Sequence, residues 1–308
     1  MLRLLMKLMG SMVLTFVATG AAFACNISNE NAIASAKLFC KKLGIKYSHE
    51  PWVSRTDYVW RIKNSEVKRI EFGEKGDYKI SMDVNCINQE VVGFFNWEHD
   101  ERLRKIHKIS SITTEPHNWP SFLSEKKAKE ILLAYAKRIE LPPDVEFAAM
   151  VTDKDRGVIN GRWIRKKKGY TYEKDAIEIE IMAVDGEIFS YSKHYYGKVC
   201  PLELKVRKEE AVKEGWKQIE KLFNKVDWKR HKKSYDIKSA ELKIVQPNFL
   251  DGQITKMYSP ESRLAWVLHY GLRDRPDRKK LAEISYLQSI TMKVDAGTIK
   301  LLGVAYSQ

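Results

Sequence analysis

The common catalytic motifs are absent from this sequence of 308 residues. It contains no G-x-S-x-G nucleophile elbow, no H-E-x-x-H zinc pair, no phosphate-binding loop and no G-x-G-x-x-G dinucleotide motif. Cysteine is scarce, with four residues and no C-x-x-C pair, which excludes a zinc ribbon or a thioredoxin-type redox centre. The sequence therefore predicts a protein that is not an enzyme and that binds no cofactor.

Potential metal ligands are concentrated in one run, EHDE at residues 98–101, with two histidines beyond it. His99 is eight residues from His107, which in turn is ten residues from His117. These intervals fit neither two ligands on one helix face nor a zinc-finger spacing. We therefore expect a solvated loop or strand end here and no metal site.

Long apolar runs are absent apart from one near the start of the chain. Residues 8–17 are apolar, with Arg3 and Lys7 before them and the stretch AAFA at 21–24 after them. This pattern predicts a secretory signal peptide over residues 1–24, cleaved before Cys25, and it is too short for a membrane span. The mature chain is therefore expected to be exported and to contain no transmembrane segment. A lipoprotein acylated on Cys25 is the alternative, which the bulky Phe23 disfavours.

The four cysteines, at positions 25, 40, 86 and 200, could form two disulfides in three different pairings in an exported protein. Cys40 lies on the first predicted helix, and Cys86 lies in the hairpin expected beneath it. We therefore predict a Cys40–Cys86 disulfide, with Cys25 and Cys200 either paired or free. Buried, unpaired thiols are the alternative.

The chain is strongly basic, with a formal net charge of +14. Loss of Arg3 and Lys7 with the signal peptide would leave about +12. Outside the cytoplasm, nucleic acid is not an expected partner, whereas anionic lipid head groups, wall polymers and acidic protein surfaces are available.

Two segments combine several cations with a tryptophan: RWIRKKK at 162–168, called the basic run below, and KVDWKRHKK at 225–233. Such a mixture suits contact with a polyanion or a membrane interface. The alternative is a solvated hairpin loop and a solvated helix end, since charge runs commonly keep a surface hydrated. The candidate contact residues are Arg162, Arg165, Lys166, Lys167, Lys168, Trp228, Lys229 and Arg230.

A short phrase with a central tryptophan occurs three times, as DYVWRI at 57–62, GRWIR at 161–165 and RLAWVL at 263–268. Its tryptophans, Trp60, Trp163 and Trp266, are equally spaced. Each lies among apolar residues on a predicted strand, where a large ring ordinarily packs beneath a helix. We interpret the three rings mainly as core markers of a repeated unit.

The apolar spacing predicts helices at 29–43, 125–139 and 208–223, each followed by about four strands joined by short turns. In the second copy, Asp185-Gly186 is a strong hairpin-turn signal between strands at 175–184 and 187–194. This order predicts an α+β fold of three tandem modules, each one N-terminal helix packed on a small antiparallel sheet. The modules would span residues 25–115, 121–198 and 203–308.

Each predicted helix is capped and carries an alanine in its first turn (Ala32, Ala128 and Ala211), and hairpin endings follow at 176–192 and 289–305. This arrangement resembles PepSY-like domains, and their tandem order is similar to proteins of the YcdB/YcdC repeated-domain type. The first copy departs from the pattern, because its final turn, VNCINQEV, lacks the glycine. The resemblance implies a PepSY/cystatin-like fold and an exported, non-enzymatic protein that modulates or inhibits an extracytoplasmic peptidase or docks an envelope protein.

Two functions follow as expectations. The first is a non-catalytic protein that binds an exported peptidase or another envelope protein, through a strand edge or a groove. The second is a basic envelope-associated protein that binds anionic wall polymer or lipid head groups. Salt distinguishes them, because attachment to a polyanion is lost at high ionic strength whereas apolar docking survives it.

Overall fold

A computed structural model of the chain describes residues 25–47, 49–59, 65–107, 119, 121–195, 198–199, 202–222, 234–247, 261–273 and 289–307. The predicted signal peptide lies outside these residues. The described part contains four α-helices and thirteen β-strands. None of its helices is both long and apolar enough to cross a membrane.

The bounds of these elements are as follows. The helices are α1 (Asn29–Leu43), α2 (Trp97–His107), α3 (Glu125–Ile139) and α4 (Lys208–Leu222). The strands are β1 (Trp52–Val59), β2 (Ser65–Glu74), β3 (Asp77–Asn85), β4 (Val91–Asn96), β5 (Val145–Asp153), β6 (Val158–Lys167), β7 (Tyr170–Met182), β8 (Ile188–His194), β9 (Lys198–Val199), β10 (Tyr235–Val245), β11 (Glu261–Leu272), β12 (Ser289–Asp295) and β13 (Leu301–Ser307).

Helices α1 and α3 begin and end at the residues that the sequence predicts, because both carry local capping signals. The side chains of Ser28 and Ser124 each accept a hydrogen bond from a backbone N–H of the first turn. Gly44 and Glu140 end the two helices in the left-handed conformation, with φ of 75° and 61°.

All thirteen strands belong to one mixed sheet. Its main path runs in the order β1-β2-β3-β4-β8-β7-β10-β11-β12-β13, with β5 and β6 branching from β7 and with β9 beside β11. Consecutive strands that pair with each other do so antiparallel, and β4 pairs antiparallel with β8 over three residue pairs that include Phe94 and Tyr191. The β7–β10 pair is parallel, with Lys243 opposite Thr171.

The sheet is continuous because β7, with 13 residues, is longer than the strand that follows it. Strand β8 pairs only with residues 176–181 of β7, which leaves the first part of the same edge for β10. The predicted fold of three tandem modules, each with its own small antiparallel sheet, is therefore wrong. Backbone pairing across β4–β8 and β7–β10 joins what the sequence suggested were separate sheets.

The main core lies between one face of the sheet and the helices α1 and α3, which share it. Phe39 of α1 contacts rings from both β4 and β8, with ring centroids 5.8 Å from Phe94 and 5.3 Å from Tyr191. Because α1 and α3 bury a common set of apolar side chains, the segments predicted as the first two modules share one core. A second core lies between α4 and β10–β13.

Helix α2 covers the other face of the sheet, and the sequence did not predict it. Its Leu103 packs against Val158, Met182 and Phe189, whereas the strand neighbours Ile181 and Ile188 belong to the main core. Alternate strand residues face opposite sides of a sheet, which places α2 opposite α1 and α3. Only His99 and Leu103 of α2 are buried, so its apolar pattern is too weak to predict a helix.

Candidate functional site

A groove opens between the C-terminal ends of α1 and α3, where β4 pairs with β8. It encloses about 270 Å³. Its apolar lining consists of Leu38, Phe39, Val91, Ile139, Leu141, Pro142 and Tyr191. Its polar lining consists of Ser35, Lys42, Gln89, Glu90, Glu140 and Lys193.

The helix ends determine the shape of this groove. Because α3 stops at Ile139, the chain turns through Glu140 and brings Leu141 and Pro142 to one wall. Leu38 of α1 lines the groove and is 55% exposed, although it precedes the buried Phe39. An exposed leucine beside a buried aromatic floor provides apolar surface that a partner can cover.

Two ion pairs lie among the residues that line the groove. Lys42 Nζ is 2.5 Å from Glu140 Oε2, and Lys193 Nζ is 2.6 Å from Glu90 Oε2. In each pair the carboxylate is the more exposed side chain, at 73% for Glu140 against 32% for Lys42. The surface presented to solvent is therefore acidic here, although the whole chain is basic. Exposed pairs of this kind contribute less than about 1 kcal/mol, so a partner can displace them.

A second group of side chains, the Arg165 cluster, comprises Arg165, Asp144, Asp175, Tyr172 and Tyr195. Arg165 Nε donates to Asp144 Oδ2 at 2.7 Å, and Nη1 donates to Asp175 Oδ2 at 3.0 Å. The guanidinium carbon is 4.6 Å from the ring centroids of both tyrosines. Burial opposes the charge on Arg165, but its bonds to the two carboxylates outweigh that effect and raise its pKa.

Tyr195 links this cluster to the groove, because Lys193 Nζ lies 4.7 Å from its ring centroid. Burial raises the pKa of Tyr195 and of Tyr191, so both phenols stay neutral at ordinary pH. Among the described residues that line the groove there is no histidine or cysteine. The lining side chains offer apolar packing and charge pairing.

The structure disperses the cations of the basic run. Arg165 belongs to the cluster just described, Arg162 Nε is 3.7 Å from Glu178 Oε1, and Lys166 is paired with Glu146. Within the described part of the chain, Lys167 and Lys168 are the cations of this run without an ion pair. They lie at the β6–β7 turn, where Lys168 has φ of 49°.

The second predicted contact segment, with Trp228, Lys229 and Arg230, lies outside the described residues, as does Trp60. Trp163 is buried beneath α3, with its ring 5.1 Å from that of Phe147. Trp266 is half-buried, and its Nε1 donates to the Val206 carbonyl at 2.8 Å.

The structure pairs Cys25 with Cys86, at a Cα–Cα distance of 5.0 Å, and leaves Cys40 as a buried free thiol. The predicted Cys40–Cys86 disulfide is therefore wrong. Cys86 lies at the end of the sheet that faces the start of α1, whereas Cys40 is about 17 Å further along that helix. Burial raises the pKa of the Cys40 thiol to about 12.

Cys200 lies outside the described residues. The Cys25–Cys86 bond is incompatible with the alternative of a lipoprotein acylated on Cys25. Acylation of Cys25 would use the same sulfur atom as the disulfide, so the two modifications exclude each other.

The sequence did not predict a buried charge cluster that forms around His99, which is 3% exposed. His99 Nδ1 is 3.0 Å from Glu187 Oε2. Its Nε2 is 2.9 Å from Asp185 Oδ2, within ion-pair distance although not aligned for a regular hydrogen bond. Arg102 Nη2 is 2.6 Å from Nδ1 and 3.3 Å from the same Glu187 oxygen. The cluster joins the first turn of α2 to the β7–β8 turn.

This cluster combines the residue types of a metal site, but its geometry fits a protonated histidine better. A metal ion binds one deprotonated ring nitrogen and gathers its other ligands there. Here the two carboxylates face different nitrogens, as suits an imidazolium with two donors, whereas the Arg102 guanidinium, 2.6 Å from Nδ1, opposes that charge. Burial alone would lower the pKa of His99, but Asp185 and Glu187 outweigh it and raise the pKa to about 9.

The raised pKa of His99 predicts that the protein loses stability in alkaline solution. The cluster should contribute fully below the unfolded-state pKa of 6.5, and its contribution should disappear as the pH rises through about 9. We expect His99→Gln to cost about 2 kcal/mol at pH 6, after allowing for solvent screening of the partly exposed carboxylates, and little at pH 10. Urea unfolding of both proteins across this range measures the difference.

His107, on the same helix, provides the control. His107→Gln should change stability by less than about 0.5 kcal/mol at every pH. A cost of His99→Gln that is equal at pH 6 and pH 10 would show that the imidazole is neutral in the folded protein.

No family model matches the chain, and no curated protein is similar to it. Two solved structures resemble it over most of its length. The Bacillus megaterium YpeB C-terminal domain is 12% identical with a TM-score of 0.45, covering 92% of this chain and 98% of that one. An uncharacterized protein from Eubacterium rectale ATCC 33656 is 14% identical with a TM-score of 0.47, covering 90% and 82%. Neither likeness is close enough to assign a family or a function to this chain.

Proposed function

We propose that this protein is an exported, non-catalytic binding protein that docks another extracytoplasmic protein in the groove between α1 and α3. The observation that carries the proposal is an apolar floor reached past the exposed Leu38, beneath ion pairs whose carboxylates face outward. A partner segment with one large apolar side chain next to a lysine or arginine would complement both features.

The size of the groove favours a side chain of a protein partner over a free small molecule. Its volume of about 270 Å³ is below the range of about 300 to 1,000 Å³ typical of small-molecule sites. One aliphatic or aromatic side chain would fill much of it, and the adjoining helix surfaces would support the flanking backbone. A protein partner bound in this way would gain affinity from one buried side chain.

The strand edges are less suitable for docking than the groove. Among the described strands, β1, β5 and β13 each pair on one side only, and each carries a register shift, at residues 53–55, 147–149 and 301–303. A bulge interrupts the regular row of backbone donors and acceptors that an added strand needs.

Two further observations support export and the class of partner. The signal-peptide pattern of residues 1–24 and the Cys25–Cys86 disulfide both suit an oxidising compartment. The PepSY-like resemblance of the sequence favours an exported peptidase as the partner, with modulation or inhibition as the outcome of binding.

Binding to anionic polymer has less support, because Arg162, Arg165 and Lys166 are already paired with carboxylates.

A peptide library displayed on phage tests the proposal. Selection on the disulfide-bonded protein is expected to enrich peptides with a large apolar residue next to a cation, and their binding should persist at about 0.5 M salt. Leu38→Asp places a charge in the groove and should weaken binding of the selected peptides at least about tenfold. Isothermal titration with synthetic peptides measures the affinities.

Leu133→Asp is the matched control, since Leu133 is an exposed leucine of α3 that does not line the groove. This variant should bind the selected peptides as the unmodified protein does. Failure to enrich any peptide, or equal binding by the Leu38→Asp variant, would contradict docking in the groove. Once confirmed, the selected motif can be compared with exported peptidases of the same cell.

A further inference from the structure

A separate aromatic pocket lies on the other face of the sheet, beside the first turns of α2. It encloses about 220 Å³. Its lining residues come from α2, from two strands of the central sheet and from the β5–β6 turn with the start of β6. They are Phe95, Trp97, Asp100, Arg104, Arg156, Val158 and Phe189.

Three rings form the apolar side of this aromatic pocket. Phe95 and Trp97 are stacked, with centroids 5.4 Å apart and an interplanar angle of 8°. Phe189 meets both of them edge-on, at 78° and 84°. Phe95 and Trp97 are each 37% exposed, which is unusual for large rings that could pack fully in a core.

Two arginines form the polar side, and each is already neutralised. Arg104 Nε donates to both oxygens of Asp100, at 3.0 and 2.9 Å. Arg156 donates from both Nη atoms to Glu180, at 3.0 and 3.2 Å. Among the described residues, no acceptor binds the Nη groups of Arg104. The pocket therefore offers hydrogen-bond donors without a net positive charge.

We propose that the aromatic pocket binds a neutral saccharide. One face of a pyranose ring is lined by C–H groups, which pack on aromatic rings, and its hydroxyl oxygens accept hydrogen bonds from guanidinium groups. An anion would gain little from arginines whose charges Asp100 and Glu180 already balance. An apolar side chain would cover the free N–H groups of Arg104 without satisfying them.

The pocket is held in place before any ligand arrives. The Asn96 side chain accepts a hydrogen bond from the backbone N–H of His99 at 3.3 Å, which caps α2 next to Trp97. The backbone N–H of Arg156 donates to Asp153 Oδ1 at 3.0 Å, which fixes the turn that carries this arginine. Preorganisation of this kind lowers the entropic cost of binding a weak ligand.

Nuclear magnetic resonance titration of the 15N-labelled, disulfide-bonded protein tests this inference. The probes are cellotetraose and the tetramer of N-acetylglucosamine, both neutral, and tri-galacturonic acid, which is anionic. A neutral probe is expected to shift the Trp97 indole signal saturably, with a dissociation constant of about 0.1 to 10 mM. Trp97→Ala and Phe95→Leu should each weaken binding at least about fivefold, because each removes a ring face.

Phe95→Leu keeps an apolar side chain in place, so it remains informative if Trp97→Ala disturbs α2. Leu133→Ala, on the opposite face, should leave binding unchanged. Absence of any shift with both neutral probes at about 20 mM would overturn the proposal. Preference for tri-galacturonic acid, or undiminished binding by Phe95→Leu, would overturn it as well. None of these outcomes bears on the groove, which is probed with peptides.

Discussion

Replacing Arg165 with methionine is expected to lower the free energy of unfolding by about 3 to 5 kcal/mol, which is a large part of the roughly 5 to 15 kcal/mol typical of a folded domain. The substitution removes the cation that Asp144 and Asp175 both contact. Asp175 is only 3% exposed, so water cannot replace the lost bond. The rings of Tyr172 and Tyr195 also lose their contact with the guanidinium.

Two further variants make this result specific. Arg162→Met, on the same strand, removes an exposed arginine at 3.7 Å from its carboxylate and should cost less than about 1 kcal/mol. Arg165→Lys should recover only part of the loss, since lysine cannot bond two carboxylates in a fork and lacks the planar guanidinium that packs on aromatic rings. Urea unfolding followed by circular dichroism gives all three values. If Arg165→Met costs no more than Arg162→Met, the Arg165 cluster contributes no stability.

The Arg165 cluster also limits how polyanion binding can be tested. Changing Arg165 together with Lys166, Lys167 and Lys168 would unsettle the fold, so a loss of binding would say nothing about surface charge. Lys167 and Lys168 lie at the β6–β7 turn without an ion pair among the described residues. Replacing these two alone leaves the cluster intact and tests the surface.

Local signals explain what could be predicted from the sequence. The bounds of α1 and α3 follow from serine caps and from an apolar stripe that repeats every three to four residues. The β7–β8 turn follows from Asp185-Gly186, where Gly186 has φ of 80°. Each of these features depends on residues within one or two turns of chain, which a sequence displays directly.

The continuous sheet depends on contacts that a sequence does not display. The β4–β8 pairing joins residues about a hundred positions apart, and β10 pairs with β7 only because β8 leaves part of one edge open. Such pairings are decided by the competition among whole strands for an edge, which local pattern does not resolve. The sequence therefore predicted many of the local elements but not their assembly into one sheet.

The candidate sites were missed for a related reason. Arg165 belongs to a run of cations that looks solvated, yet its partners come from the loop after α3, from β7 and from the end of β8. The groove likewise exists only where α1 and α3 come together. His99 had a weak signal, since an acidic hairpin turn is a suitable partner for a histidine, but nothing in the sequence places α2 beside that turn.

Removal of the disulfide between Cys25 and Cys86 is expected to cost about 2 to 4 kcal/mol. The bond closes a separation of 61 residues, which contains α1 and the first three strands. Opening it therefore restores considerable freedom to the unfolded chain, and it also releases the start of α1 from the end of β3. The double variant Cys25→Ser, Cys86→Ser, compared with the unmodified protein in urea, measures this cost.

Cys40 distinguishes the observed pairing from the predicted one. Cys40→Ala removes one buried sulfur atom and should cost roughly 1 kcal/mol, and digestion without reductant should still yield a peptide that contains Cys25 linked to Cys86. If Cys40 were instead bonded to Cys86, Cys40→Ala would destabilise the protein as much as the double variant does and would leave Cys25 reactive towards thiol reagents. The buried, unpaired position of Cys40 predicts neither of these effects. Its high pKa keeps the thiol protonated and unreactive until the protein unfolds.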